Sequence, residues 1–156
     1  MNKFLSKEVL LAINHFSLKL SGEEAEIGFD NERDLNFLLN FVKSSNVSDH
    51  FKISLAYCCS IIILHPFKNG NHRTSILSAE YYLVINGFEF IGDDEKDKEL
   101  EKWRVEYEKN NDLYREFFRI TCIEDFKNKS KEIVKIMNSD YGKKVESWLR
   151  DNYKKI

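Results

Sequence analysis

The chain has 156 residues, 42% of them hydrophobic and 13% aromatic, so it can form one domain with a single core and is not intrinsically disordered. Its charged residues (32%) leave a net charge of only −2, and this even mixture of signs predicts no nucleic-acid partner. The longest apolar stretch is too short to span a bilayer, and the three cysteines show no disulfide or metal spacing. Together these features predict a cytoplasmic protein without a membrane partner.

The scarcity of helix breakers predicts an all-α chain. It contains 1 Pro and 6 Gly, and apolar residues recur at helical spacing along most of its length. The periodicity predicts helices over residues 7–20, 34–43, 50–65, 71–86, 93–107, 113–122 and 131–153. Ser6 and Asp49 precede two of these helices as candidate N-caps. Residues 21–31, which include two glycines, are predicted to form a loop or a short β-hairpin.

Two central helices are predicted on either side of the only proline. The second half of the first one, Leu55 to Leu64, is apolar nearly all round, which indicates a helix inside a bundle. Its isoleucines leave a buried strand as an alternative, but the length of the whole segment favours a helix. Gly87 is expected to end the second central helix as a left-handed cap, and a short apolar connection follows at Phe88 to Ile91.

Polar groups are concentrated in the segment that joins these helices, His65-Pro66-Phe67-Lys68-Asn69-Gly70-Asn71-His72-Arg73-Thr74. A helix start presents backbone N–H groups at the positive end of the helix dipole, and it therefore binds anions. Gly70 allows close approach of a ligand, while Lys68 and Arg73 add positive charge for phosphate oxygens. His65 lies at the edge of this site, and an imidazole, with its pKa in water of about 6.5, can take a proton from a hydroxyl.

Each of these features has a plain structural explanation when it is taken alone. His-Pro is a common helix stop, Asn-Gly is a common turn, and an arginine in a first helical turn is usually solvated. Their combination within nine consecutive residues favours a site that binds phosphate beside a base, as phosphoryl-group transfer requires.

This joining segment resembles the Fic motif, His-Pro-Phe-x-(Asp/Glu)-Gly-Asn-Gly-Arg, and its Arg-Thr ending resembles the Doc (death-on-curing) branch. The resemblance implies an all-α helical bundle of Fic/Doc type, in which residues 21–31 are a flap that the target's extended segment joins as a strand. We expect a single domain over residues 1–156, in which an extra helical part from about residue 127 exceeds the Doc core and is not explained by the resemblance. Trp148 and Tyr153 in that part are expected to pack onto the bundle rather than to form a partner surface.

The resemblance also implies roles for individual residues. His65 corresponds to the catalytic base, Arg73 to the arginine that steadies charge on the transferring phosphates, and Phe67 to the residue that anchors the loop in the core. The predicted nucleotide- and phosphate-binding residues are Lys68, Asn69, Gly70, Asn71 and His72. The implied cofactors are ATP or another nucleotide and Mg²⁺, with Asn69 as the candidate metal ligand.

Three positions depart from the family pattern. Asn69 stands where an Asp or Glu usually helps to hold Mg²⁺, and a hard cation prefers that carboxylate. His72 replaces the second glycine of Fic or the lysine of Doc, which favours a Doc-like nucleotide orientation; a surface side chain is the alternative for this position. Ile76 replaces the second arginine of long Fic motifs, again as in Doc.

Three functional hypotheses follow. The first is a Doc-like toxin enzyme that transfers phosphate or NMP from a nucleotide to a hydroxyl of a target protein. The second is an ordinary Fic-type protein AMP transferase, and the third is a Fic-fold binding module with weak or no catalysis, which Asn69 favours. No Glu in the sequence is followed by Gly or Asn, so the self-inhibiting motif of many Fic proteins is absent and an antitoxin-like inhibitor in trans is expected.

Overall fold

The computed structural model describes residues 1–22 and 24–156, apart from seven side chains between positions 97 and 111. It confirms the all-α prediction. The elements in chain order are α1 (Lys7–Leu20), α2 (Glu32–Ser44), α3 (His50–Leu64), α4 (Asn71–Ile85), β1 (Phe88–Phe90), α5 (Asp94–Glu108), α6 (Asn111–Thr121), α7 (Phe126–Met137), α8 (Asp140–Asn152) and β2 (Tyr153–Lys155). Among the helices of this described part, none is long and apolar enough to cross a membrane.

Helix α3 is the centre of the bundle. All of its residues from Ile53 to Leu64 are buried, and it contacts α2, α4, α6, α7 and α8. Because this helix is apolar nearly all round, contacts on every side remove most of its apolar surface from water. Helix α4 packs along α3. The joining segment therefore follows directly on the end of α3 and includes the start of α4.

The N-terminal helices form where local signals predict them. Helix α1 spans the predicted residues, and the Ser6 side-chain oxygen accepts a hydrogen bond from the Val9 backbone N–H at 3.3 Å. Asp49 accepts in the same way from the Phe51 backbone N–H at 2.9 Å. Each oxygen satisfies one of the first N–H groups of its helix, which have no partner within the helix.

The prediction of one helix over residues 131–153 is wrong, because the chain forms two helices there, α7 and α8, with a break at Asn138. The Ser139 side-chain oxygen begins α8 by accepting from the Gly142 N–H at 3.5 Å. A Cβ atom at Gly142 would lie only 2.1 Å from the Met137 carbonyl oxygen. Glycine at this position is therefore what lets the two helices follow each other so closely.

The predicted apolar connection after α4 is a strand. β1 pairs antiparallel with β2, and Phe90 lies opposite Tyr153. Gly87 has the left-handed backbone expected of a helix cap (φ +86°), and its carbonyl oxygen accepts from the Ile156 N–H at 2.9 Å. Trp148 and Tyr153 are buried, which confirms that they pack onto the bundle.

Candidate active site

His65 stands at the end of α3 in a strained backbone conformation. Its φ of +46° and ψ of +56° lie in the left-handed region, and its backbone N–H donates to the Ile61 carbonyl at 3.0 Å. Pro66 disfavours the right-handed helical conformation for the residue before it, so the helix stops here. A non-glycine residue in this region costs on the order of 1–3 kcal/mol, and such strain is common at functional sites. The turn leaves the His65 side chain exposed.

The joining segment is closed by Asn71. The Asn71 Nδ2 atom donates to the Phe67 carbonyl oxygen at 2.8 Å, and its Oδ1 atom accepts from the Phe67 N–H at 3.0 Å. Phe67 itself is only 1% exposed, which confirms its expected anchoring position in the core. Because both ends of the Asn71 amide are engaged in the loop, what Asn71 can offer a phosphate is its backbone N–H at the start of α4.

Buried polar groups of helix α1 hold the joining segment in place. Asn14 Nδ2 donates to the Asn69 carbonyl oxygen at 2.7 Å and to the Thr74 hydroxyl oxygen at 3.0 Å. A Cβ at Gly70, whose φ is +72°, would lie 3.1 Å from Leu18 Cδ2 and 3.2 Å from Ser17 Oγ. Gly70 therefore allows close packing of the joining segment against α1. From the sequence, we expected this glycine to allow close approach of a ligand.

Of the flap predicted over residues 21–31, residues 26–31 lie against the joining segment. The Lys68 N–H donates to the Gly28 carbonyl at 3.0 Å, the Asp30 N–H donates to the Pro66 carbonyl at 2.9 Å, and Phe29 and Phe67 form an isolated β-bridge. These described flap residues make that bridge rather than a hairpin, since the two-stranded sheet is formed by β1 and β2.

Two of the predicted phosphate-binding side chains face the flap. Lys68 forms an ion pair with the Glu26 carboxylate, and Asn69 Nδ2 donates to the Glu26 carbonyl oxygen at 3.0 Å. Both contacts are exposed to solvent, so they cost little to exchange for contacts with a ligand. In this structure, Glu26 of the flap is thus the partner of both side chains.

A cavity of about 490 Å³ opens beside His65. His65 and His72 share its lining, and their rings meet edge to face with centroids 5.1 Å apart. The opposite wall comes from the aromatic residues of α6, and the start of α2 closes a third side. This volume lies within the range of small-molecule sites, which commonly combine apolar walls with a few convergent polar groups. His72 is thus part of the site and not simply a surface side chain.

The aromatic wall is a feature that the sequence did not point to. Tyr114, Phe117 and Phe118 of α6 line the cavity, and Tyr114 and Phe118 are 65% and 66% exposed. Residues four apart lie on one helix face, so two exposed aromatics at this spacing were an available but weak signal. Asn14 was also missed, because a single polar residue on a core helix carries no motif.

Arg73 borders a different cavity. It lies with Ser17, Leu20 and Glu80 along a space of about 330 Å³ between α1 and α4, whereas its neighbour His72 lines the cavity of His65. Successive residues of a helix point about 100° apart, which explains why the two side chains diverge. The structure therefore brings His65 and His72 together and places Arg73 on the adjacent side of the same helix start.

The site offers little to hold a metal ion by itself. Across the residues whose side chains are described, no group of three or more His, Cys, Asp or Glu is arranged around a common point. Asn69 presents an amide whose nitrogen already bonds to the flap, which leaves one neutral oxygen. Mg²⁺ in proteins usually takes one or two carboxylates together with substrate phosphates. Two carboxylates line the cavity of His65: Asp34 is already paired with Lys129, and Asp30 is exposed.

The fold and the site together define a helical-bundle protein with a histidine at a helix end, beside an anion-binding helix start. A family model described as the Fic/DOC family matches residues 4–83, about half of the chain; the chain belongs to this family. Membership indicates the transfer of a nucleotide-derived group onto a protein. Neither the curated proteins nor the solved structures give a match to the chain.

Proposed function

We propose that the chain is a Doc-like toxin enzyme that transfers a phosphate-containing group from a nucleotide to a hydroxyl of a target protein. The observation that carries this proposal is the position of His65. Its strained backbone holds the imidazole at the rim of the 490 Å³ cavity, next to the backbone N–H groups of α4. A base and an anion-binding helix start thus face the same space, as group transfer from a phosphate ester requires.

The reaction uses His65 as the general base. Its imidazole takes the proton of the target hydroxyl, and the hydroxyl oxygen then attacks a phosphorus atom of the nucleotide. Attack at the γ-phosphorus transfers phosphate and releases the nucleoside diphosphate, whereas attack at the α-phosphorus transfers NMP and releases pyrophosphate. The N–H groups of Asn71, His72 and Arg73 lie at the start of α4, where they would bind the phosphate oxygens.

The charged side chains complete the phosphate site when ligand binds. Lys68 exchanges Glu26 for phosphate, and the Arg73 guanidinium reaches across the start of α4 from the cavity that it borders. For Lys68, this replaces an exposed ion pair by a charge-assisted hydrogen bond to phosphate, and the planar guanidinium of Arg73 can bind phosphate oxygens in pairs. Gly70 contributes by keeping α4 close to α1, and Asn71 by keeping the loop closed.

The cavity suits a nucleotide, whose base would lie against the aromatic wall of Tyr114, Phe117 and Phe118. ATP is the nucleotide proposed, with another nucleoside triphosphate as the alternative. Mg²⁺, when bound to the phosphates, would offset their negative charge. The side-chain oxygen of Asn69 would assist in holding Mg²⁺. Because this oxygen is neutral, the phosphates would be the main ligands of the ion.

His72 favours the Doc-like form of the reaction over an ordinary Fic-type AMP transferase. Its ring occupies part of the wall next to His65, so it narrows the space that a bare glycine would leave for outer phosphates. A Fic-fold binding module is the third candidate, and Asn69 is the feature that supports it. For this toxin-like activity, we also propose a cytoplasmic location and control by an antitoxin-like protein in trans.

The experiment is mass spectrometry of a cell lysate treated with the purified protein, ATP and Mg²⁺. The matched variants are His65→Ala and His15→Ala, since His15 is an exposed histidine on α1 outside the site. We expect one lysate protein to gain the mass of a phosphate with the wild type and His15→Ala, and to remain unmodified with His65→Ala. A gain of NMP would favour the AMP transferase. Nucleotide binding without any modified protein would overturn the enzyme in favour of the binding module.

A further inference from the structure

A second and larger cavity lies where α7, which the family match does not cover, meets the matched helices α2 and α3. This lysine groove, of about 710 Å³, runs between the end of α2, the first half of α3 and the whole of α7. It shares no lining residue with the cavity of His65. The groove is therefore a separate surface, and its use does not depend on the proposed transfer reaction.

The floor of the lysine groove is apolar. Phe41, Leu55 and Ala56 form its base and are buried. Phe126 and Val134 of α7 form one edge, where they are 46% and 44% exposed. Apolar side chains that line an open groove are favourable to cover, because covering them removes apolar surface from water.

The rim of the groove is positively charged. Lys127, Lys131 and Lys135 follow one another at four-residue intervals along α7, and Lys52 lies across the groove on α3. One turn of helix separates successive lysines of the α7 row, which is about 6 Å per step. The row thus runs parallel to the apolar edge formed by Phe126 and Val134.

Most of this positive charge is not neutralised by the residues that the structure describes. Lys135 pairs with Glu132 at 3.0 Å, but Lys52, Lys127 and Lys131 form no ion pair with any residue in the described part of the chain. The one acidic residue lining the groove, Glu146, is bound by Arg150 at 2.7 Å. The rim is therefore a local excess of positive charge on a chain whose formal net charge is −2.

We propose that the lysine groove binds an acidic amphipathic helix of another protein. Such a helix has an apolar stripe that fits the floor, and carboxylates four residues apart that match the spacing of the α7 lysines. A nucleic-acid backbone would pair with the lysines but leave the apolar floor uncovered. A bilayer surface is too flat to enter a groove. The combination of charge and concave apolar surface thus selects a helical polypeptide.

The probe is a synthetic, fluorescently labelled peptide of about 18 residues, long enough to follow α7, with a leucine stripe flanked by glutamates at four-residue intervals. A scrambled peptide of the same composition, with its leucines spread around the helix, is the control. We expect the patterned peptide to bind the full chain at least about tenfold more tightly than the scrambled one, with affinity falling as salt rises.

The variants locate the binding surface. Lys127→Glu with Lys131→Glu is expected to weaken binding of the patterned peptide at least about tenfold. The matched control reverses two exposed lysines outside every cavity described above, Lys19→Glu with Lys143→Glu, and should leave binding unchanged. Because Lys19, Lys127, Lys131 and Lys143 are all exposed, circular dichroism should show the wild-type fold in both variants.

Three results would overturn the proposal. These are equal binding of the two peptides, no effect of Lys127→Glu with Lys131→Glu, and tighter binding of a duplex oligonucleotide or of anionic vesicles through the same lysines. His65→Ala should bind the patterned peptide as the wild type does. This last comparison separates the groove from the transfer reaction, since either one can fail without the other.

Discussion

The joining segment and the C-terminal helices α7 and α8 are held in place by different forces. Hydrogen bonds between side chains and backbone hold the segment, through Asn14 and Asn71, and it includes the left-handed residues His65 and Gly70. Helices α7 and α8 are instead held by buried apolar side chains such as Ile133, Ile136, Val145 and Leu149. Directional polar contacts fix atoms in position, whereas apolar contacts mainly stabilise.

A buried ion pair attaches the C-terminal region to α2, next to the cavity of His65. Lys129 of α7 binds Asp34 of α2 at 3.0 Å, with side chains only 8% and 5% exposed. Asp34 also accepts from Asn31 Nδ2 at 2.9 Å, and both Asp34 and Asn31 line the cavity of His65. Polar contacts therefore fix this part of α7, as they fix the joining segment. They do so at the point where α7 supports the lining of the candidate active site.

Replacing His65 with glycine tests the segment most severely. Glycine adopts a left-handed backbone without strain, so His65→Gly should keep or raise the free energy of unfolding, by about 1 kcal/mol. Loss of the base should lower transfer activity by about 10²–10⁴-fold. Urea denaturation and the rate of target modification measure the two effects. A variant that loses both stability and activity would show that His65 is a structural residue.

Removing Lys129 tests the linking ion pair. Lys129→Ala leaves the Asp34 carboxylate buried without its partner, which should lower the free energy of unfolding by about 3–5 kcal/mol. Lys131→Ala removes an exposed lysine from the same helix. It should change the free energy of unfolding by less than about 0.5 kcal/mol. Both values come from denaturant titration. Equal small effects would mean that apolar burial alone attaches α7.

The steric role of Gly70 can be separated from its backbone role. Gly70→Ala and Gly87→Ala both force alanine into a left-handed conformation, at about 1 kcal/mol each. The new Cβ at Gly70 also meets Leu18 and Ser17, whereas nothing lies within 4 Å of one at Gly87. Gly70→Ala should therefore be more destabilising than Gly87→Ala by about 1 kcal/mol or more. Equal thermal stabilities would remove the tight contact with α1 from our description.

The smallest effect is expected from His50, which begins α3 at the opposite end of that helix from His65. Burial against Tyr82 and Phe88 lowers the pKa of His50 below its usual range, and the charge of Lys155 lowers it further. A lowered pKa means that the unfolded chain binds the proton first. The contribution of neutral His50 to the free energy of unfolding should thus be fully present above the ordinary histidine pKa. It should decrease as pH falls below that value. His50→Gln should show a shallower decrease, and identical pH profiles of unfolding would contradict the assignment.

Local signals predicted much of the fold correctly. The bounds of α1 follow from apolar spacing and the Ser6 cap, and the central place of α3 follows from its apolar surface, because both depend on neighbouring residues alone. The break at Ser139 was missed since no proline or preceding glycine marks it. The pairing of β1 with β2 was missed because the two strands are distant in sequence and each is only three residues long.

The joining segment shows where motif reasoning reaches its limit. Position and spacing predicted the helix stop at His65 and the helix start at Asn71, and the family resemblance implied the buried Phe67. They also assigned Gly70 and Asn71 to ligand, whereas the structure gives the Asn71 side chain to Phe67 and the space beside Gly70 to α1. A spacing pattern cannot distinguish a residue that touches ligand from one that shapes the loop around it.

The pairing of β1 with β2 has a consequence for synthesis on the ribosome. Phe88–Phe90 emerges well before Tyr153–Lys155, so the nascent chain carries an unpaired strand edge while the four helices α5 to α8 are still being made. An open apolar edge can pair with another chain during that interval. The strand's length of three residues keeps this edge short, which protects the growing polypeptide from aggregation until its own partner arrives.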